Sequence, residues 1–195
     1  MNKPIKAIIF DADGMVINGE RFSNRFSQTF GVPLEKISAF FEKEFKDCIL
    51  GKKDLKSVIG PYFKDWNWTG TFEELLMFWF GQSYKVDNLV IEKALEFKSQ
   101  GKTCVLAINQ DKYRTSYIKE EMGLGKVFDF IISSSDIGFK KPQKEFFDEI
   151  IKKLPNIKKE EVLFFDDRVE HIKAAKEYGF NAKQYTNIKD LQNGA

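Results

Sequence analysis

Five short runs constrain the fold of this chain more than anything else in it. They are "IKAIIF" (5–10), "TCVLAI" (103–108), "DFIIS" (129–133), "VLFF" (162–165) and the weaker "NAKQY" (181–185). The middle runs are apolar on successive residues, not on alternate ones. A strand with one wet face alternates; a strand covered on both faces does not need to. Helical patterns separate the runs from residue 88 onward. In "NLVIEKALEFKSQG", Leu89, Ile91, Ala94, Leu95 and Lys98 trace one face, with Gly101 placed to end the helix. "DKYRTSYIKEEMGLG" carries Tyr113, Tyr117, Ile118 and Met122 at helical spacing, and "PQKEFFDEIIKKL" and "RVEHIKAAKEYGF" repeat the pattern. Strand and helix in alternation predict right-handed βαβ units and a doubly wound parallel sheet, an α/β fold.

Strand one breaks the rhythm. More than seventy residues separate Phe10 from the helix at 88, and they hold helical patterns without a convincing strand: "ERFSNRFSQTFG", "PLEKISAFFEKEFKDCI", "KKDLKSVIGPYF" and "TFEELLMFWFGQSY". Residues 15–85 therefore read as an all-helical insertion, and residues 1–14 with 86–195 as the α/β core. The aromatics Phe63, Trp66, Trp68, Phe72, Phe78, Trp79 and Phe80 read first as the core of the insertion. A substrate-facing or dimer-facing patch is the sharper alternative.

Composition removes several function classes. The 195 residues balance 31 Lys and Arg against 29 Asp and Glu, a formal charge of +2, so no field for nucleic acid is expected. Cys48 and Cys104 are far apart in apolar or helical contexts and read as reduced core thiols. No apolar segment approaches membrane-spanning length and no signal peptide is evident, which points to a cytoplasmic protein with no membrane partner. Monomer and homodimer both remain open.

In an open α/β sheet, ligands bind beyond the carboxyl ends of the strands. Strand one ends in Asp11-Ala12-Asp13. Strand two ends in Ile108-Asn109-Gln110-Asp111. Strand three runs into Ser133-Ser134-Ser135-Asp136 and then Lys140-Lys141-Pro142, and strand four ends in Asp166-Asp167-Arg168. Carboxylates gathered at one edge repel unless a hard cation neutralises them, and an all-oxygen donor set suits Mg²⁺. A lysine there adds positive charge for phosphate oxygens. Residues two apart in an extended segment point the same way, so Asp11 and Asp13 can share a site. An ionised Asp is a ready nucleophile, and a second Asp can serve as general acid.

At these residues the chain resembles the haloacid dehalogenase superfamily, in its phosphatase branch. "FDADGMV" is similar to that family's first motif, "VLAINQ" to its second, "GFKKPQKEFF" to its third and "VLFFDDRVEHIKAAKEYG" to its fourth, in the family's order. The resemblance implies a Rossmann-like three-layer core with a helical cap inserted after strand one. It implies Asp11 as nucleophile, Asp13 as general acid and base, and Lys141 as the phosphate-stabilising lysine, in preference to Lys140. Mg²⁺ would be held by Asp11, the Asp13 backbone carbonyl, Asp166 and Asp167, and phosphate by the Ile108 backbone and Asn109. Two positions depart from the family. Ile108 stands where a Ser or Thr hydroxyl is usual, a loss on the order of 3 kcal/mol at a transition state. His171 stands where relatives usually carry Asn, and reads as a supporting or surface residue.

These features imply a Mg²⁺-dependent phosphatase of a small phosphorylated metabolite, acting through an aspartyl-phosphate. The alternatives are a sugar phosphomutase of the same family, or an impaired member that binds a ligand without hydrolysis, the last motivated by Ile108.

Overall fold

In the computed structural model, which describes residues 4–81 and 84–192, the strands in chain order are β1 (Ala7–Asp11), β2 (Ile17–Gly19), β3 (Tyr84–Val86), β4 (Thr103–Ile108), β5 (Phe130–Ser133), β6 (Val162–Asp166) and β7 (Asn181–Gln184). Five of them form a wholly parallel sheet in the order β5-β4-β1-β6-β7. β1 is central. Its Phe10 is level with Leu106 of β4 on one side and Phe165 of β6 on the other. The winding reverses at β1, and such a switch point opens a crevice at the carboxyl edge.

Helices cover both faces, which is why the strands need not alternate. α7 (Asn88–Ser99) and α8 (Lys112–Lys119) pack Val90, Ala94, Phe97 and Ile118 against Ile8, Phe10, Leu106 and Phe165. On the other face, α10 (Lys144–Lys152) and α11 (Val169–Tyr178) set Phe146, Phe147, Ile150 and Ala175 against Ile9, Val105, Ala107 and Phe164. The short α9 (Ser134–Ile137) follows β5, and α12 (Lys189–Gln192) closes the described chain.

The remaining helices lie between β2 and β3: α1 (Phe22–Phe30), α2 (Leu34–Glu42), α3 (Phe45–Cys48), α4 (Leu55–Ile59), α5 (Tyr62–Asp65) and α6 (Phe72–Phe80). They build a third apolar cluster around Phe26, Phe40, Trp66, Leu75 and Trp79. Thr71 and Glu74 cap α6 reciprocally, satisfying two backbone donors at its start.

Three sequence expectations change here. The insertion is not helical throughout: Ile17 pairs with Val86 and Gly19 with Tyr84, so an antiparallel ribbon joins it to the core. Three-residue strands carry too little periodicity to show in a sequence. The pattern over 33–49 breaks at Lys43 into α2 and α3, and that over 52–63 breaks at Gly60-Pro61 into α4 and α5. On α7 the buried stripe is Val90, Ala94 and Phe97, whereas Leu89 and Leu95 are exposed. Gln82 and Ser83 of the insertion, and residues 1–3 and 193–195 of the core range, lie outside the described residues.

The insertion rests on α8. Phe72 meets the Tyr113 ring at 5.1 Å between centroids, and Phe80 meets Tyr117 at 5.5 Å. The Tyr113 hydroxyl donates to Asp54 at 2.9 Å, and Lys112 pairs with the same carboxylate.

Candidate active site

Asp11 is the last residue of β1, at the carboxyl edge where the winding reverses. Its neighbours arrive from three other strand ends. Lys141 lies between α9 and α10, buried to 2% exposure, and all three of its ammonium protons have acceptors. They go to Asp11, to Asp166 Oδ2 at 2.9 Å and to the Ala107 carbonyl at 2.8 Å. Burial pushes the Asp11 carboxyl up to about 7, with Asp166 and Asp13 adding to the rise and Lys141 opposing it. Burial acts the same way on Asp166, but Lys141 and a hydrogen bond from His171 outweigh it and hold that carboxyl below its usual range. Burial works against the Lys141 charge, and the two aspartates more than restore it. The site therefore holds one buried cation shared by two carboxylates of unequal basicity.

Asp13 lies two residues further on, in a turn closed by Ile17 N–H to the Ala12 carbonyl at 2.8 Å and Gly14 N–H to the Ile17 carbonyl at 2.9 Å. It is exposed, and the Gln110 side-chain amide donates to it. Gly14 has φ +87°, and a Cβ there would come within 2.7 Å of Asp167 Oδ2. A glycine is what allows Asp167 to lie against this turn.

Asp167 completes the acidic group. One oxygen from each of Asp11, Asp166 and Asp167 lies within 4.8 Å of the others. Asp167 Oδ1 is buried with no hydrogen-bond partner among the described residues, and burial followed by Asp166 pushes this carboxyl up. A buried, unpartnered carboxylate oxygen beside two more carboxylates fits a hard divalent cation such as Mg²⁺.

Other residues hold this frame. Asn109 is clamped to the Lys141 backbone by both ends of its amide: it donates to the Lys141 carbonyl at 3.0 Å and accepts from the Lys141 N–H at 2.9 Å. Its side chain thus positions the lysine backbone. Ile108 is buried in the apolar cluster with Phe10, Met15 and Ile118. His171 is buried, and its Nδ1 contacts both Asp166 oxygens at 2.9 and 3.0 Å. The Ser133 and Ser134 hydroxyls donate to the Gln110 carbonyl at 3.3 Å, so they hold the loop after β4.

One residue escaped the sequence reading. Arg114 is buried to 3% exposure beneath the insertion. It falls four residues before Ile118 and eight before Met122, so the apolar stripe of α8 already placed it inward. A cavity of about 360 Å³ lies between insertion and core, lined by Asp13, Phe22, Trp79, Tyr84, Gln110 and Arg114 among others.

Comparison with known proteins agrees with this architecture. An uncharacterized hydrolase of Schizosaccharomyces pombe is 27% identical over 213 residues, covering 95% of this chain and 92% of that protein. A HAD family enzyme from Bacteroides thetaiotaomicron shares the fold at a TM-score of 0.81 and 18% identity, over 94% of this chain and 95% of that one. That enzyme has also been solved with magnesium and inorganic phosphate. A HAD phosphatase from Thermococcus onnurineus matches at a TM-score of 0.67 and 21% identity, over 96% of both chains. The family model for haloacid dehalogenase-like hydrolases runs from the first strand to the glycine that ends α11, residues 5–179, and on that extent the chain belongs to this family of hydrolases.

Proposed function

We propose that the protein is a phosphatase that hydrolyses a small phosphorylated metabolite, with Mg²⁺ as its cofactor and Asp11 as nucleophile. The observation that carries this reading is the buried, unpartnered oxygen of Asp167 beside the Asp11–Lys141–Asp166 group. An all-oxygen group of this kind suits a hard cation beside a carboxylate that Lys141 anchors. Bound there by Asp11, the Asp13 carbonyl, Asp166 and Asp167, Mg²⁺ would neutralise phosphate charge and favour the ionised form of Asp11.

Lys141 aims Asp11 and keeps part of its basicity in check. The Asp11 carboxylate attacks phosphorus as the bond from phosphorus to the leaving oxygen breaks. Asp13, oriented by Gln110, protonates that oxygen. Asp13 then takes a proton from water as the water oxygen attacks phosphorus. The bond to Asp11 breaks and phosphate leaves. Backbone N–H groups of the loop from Ile108 would hold the non-bridging oxygens, and the helical insertion acts as the cap over the site.

A panel of phosphate esters assayed with magnesium tests this. Asp11→Asn should lower kcat/KM by about a thousandfold or more, and EDTA should abolish turnover until magnesium is restored. Robust turnover by the Asn variant, or none by the wild type on any ester, would overturn the proposal.

A further inference from the structure

The Arg114 guanidinium is a buried charge without a carboxylate. Neither terminal nitrogen has a hydrogen-bond partner among the described residues. What surrounds it is aromatic: its Cζ lies 4.1 Å from the centre of the Tyr84 ring, 5.2 Å from Phe80 and 5.7 Å from Tyr117. Ring faces attract a cation but leave its N–H groups unmet. Asp111 does not meet them either; its Oδ1 caps α8, and its buried Oδ2 also has no partner. Leaving the four N–H donors of these two nitrogens unpaired in a dry place is costly, so a ligand that pairs them gains strongly.

The position identifies the ligand's other half. Arg114 and Asp13 line the same cavity, with the aromatic walls Phe22, Phe41 and Trp79. In the phosphatase reading, on which this inference rests, Asp13 faces the leaving oxygen. Whatever Arg114 grips therefore belongs to the leaving group, not to the phosphoryl group being transferred. We propose that Arg114 is the specificity-determining residue of this site, and that the substrate is a phosphate ester whose leaving group carries a second oxyanion, a carboxylate or another phosphoryl group. A cavity of about 360 Å³ restricts that ester to a small molecule. The rings hold the guanidinium plane in place, so the side chain itself needs little further ordering, while the groups covering its terminal nitrogens must shift to admit the anion.

Matched esters test this. Phosphoglycolate is compared with hydroxyethyl phosphate, and propanediol bisphosphate with hydroxypropyl phosphate, so each pair differs by one anionic group. The wild type should favour the anionic member of at least one pair by about tenfold or more in kcat/KM, and which pair it is separates carboxylate from phosphoryl. Arg114→Met should erase that ratio, chiefly through KM, and Arg114→Lys should keep part of it. Wild-type indifference within both pairs, or a ratio that survives in the Met variant, overturns the assignment. Calorimetric titration of phosphoglycolate and propanediol bisphosphate into Asp11→Asn, with and without Arg114→Met, reads the same contact without turnover. Arg114-dependent binding in a protein that hydrolyses nothing leaves this inference standing while the phosphatase reading falls. Turnover without anion preference does the reverse.

Discussion

Lys141 has no proton left over: Asp11, Asp166 and the Ala107 carbonyl take all three. Its first task is thus to make a pair of buried carboxylates tolerable, since each charge alone would be costly at that depth. Asp111 shows the opposite case. Its Oδ1 caps α8 through the Tyr113 and Arg114 N–H groups, while its Oδ2 is buried and unpaired, and burial pushes its carboxyl up to about 6. The folded state therefore keeps this proton to higher pH than the unfolded chain, where the carboxyl titrates near 4. The stability this group contributes is complete below about pH 4 and is lost as pH rises through about 6, on the order of 2–3 kcal/mol in all. Asn at this position still accepts the capping bonds and does not ionise. The unfolding free energy of Asp111→Asn, measured relative to wild type by urea titration, should rise between pH 4.5 and about 7 by that amount, whatever the constant offset. A pH-independent difference would show that Asp111 is not burdened by its burial. At this scale the meeting of Asp11, Lys141 and Asp166 was legible, because each sits at a strand end or a Lys-Pro helix entry. The parts played by His171 and Arg114 were not: His171 reaches Asp166, five positions back, only through the turn from β6 into α11, and the rings around Arg114 come largely from β3 and α6, far away in the chain.

Among the elements, α8 carries two loads: it follows the loop that approaches the site, and it bears the insertion on Tyr113 and Tyr117. A second seat lies at Gly51. This residue has φ +66°, and a Cβ there would come within 2.2 Å of the Ser135 carbonyl oxygen at the start of α9. Gly31 has nearly the same conformation, φ +67°, with nothing within 4 Å of a built Cβ. The two separate backbone strain from contact. Gly31→Ala should cost about 1 kcal/mol, the penalty of a left-handed conformation for an L-residue. Gly51→Ala carries that and the collision with main chain as well, and should cost at least about 2–3 kcal/mol in urea unfolding. Equal costs would mean that the insertion shifts freely on the core. The strands and helices of the core were legible from their periods, since a sheet covered on both faces leaves unbroken apolar runs. The β2–β3 ribbon and the breaks at Lys43 and Gly60-Pro61 were less so. Short elements are decided by tertiary contacts, here by the Ile17–Val86 pairing across 69 positions of chain.

Taken whole, the molecule is two apolar bodies with an acidic edge on one and an aromatic wall on the other, and the cavity between them is bounded by Asp13 at one place and Arg114 at another. Among the described residues no helix is long and apolar enough to cross a membrane. The charge of the edge governs the stability of the whole. Asp11, Asp166 and Asp167 approach one another with Lys141 as the one buried lysine or arginine paired with them among the described residues, so the folded state carries uncompensated negative charge that unfolding would disperse. A divalent cation bound to the folded state and not to the unfolded chain must raise the unfolding free energy by mass action, by about 2.7 kcal/mol at a hundred times its dissociation constant. Magnesium is therefore expected to raise the thermal midpoint of the wild type, and EDTA to reverse the rise. Asp167→Asn removes the oxygen that has no protein partner while leaving the Lys141 contacts in place. It should raise the magnesium concentration required for the shift by at least tenfold, and the midpoint measured in EDTA should hold or rise, because one of the repelling charges is gone. If magnesium protects the Asn variant at the same concentration as wild type, the cation does not depend on Asp167. If the variant is already destabilised in EDTA, the unpaired oxygen is contributing to the fold by some contact other than a metal.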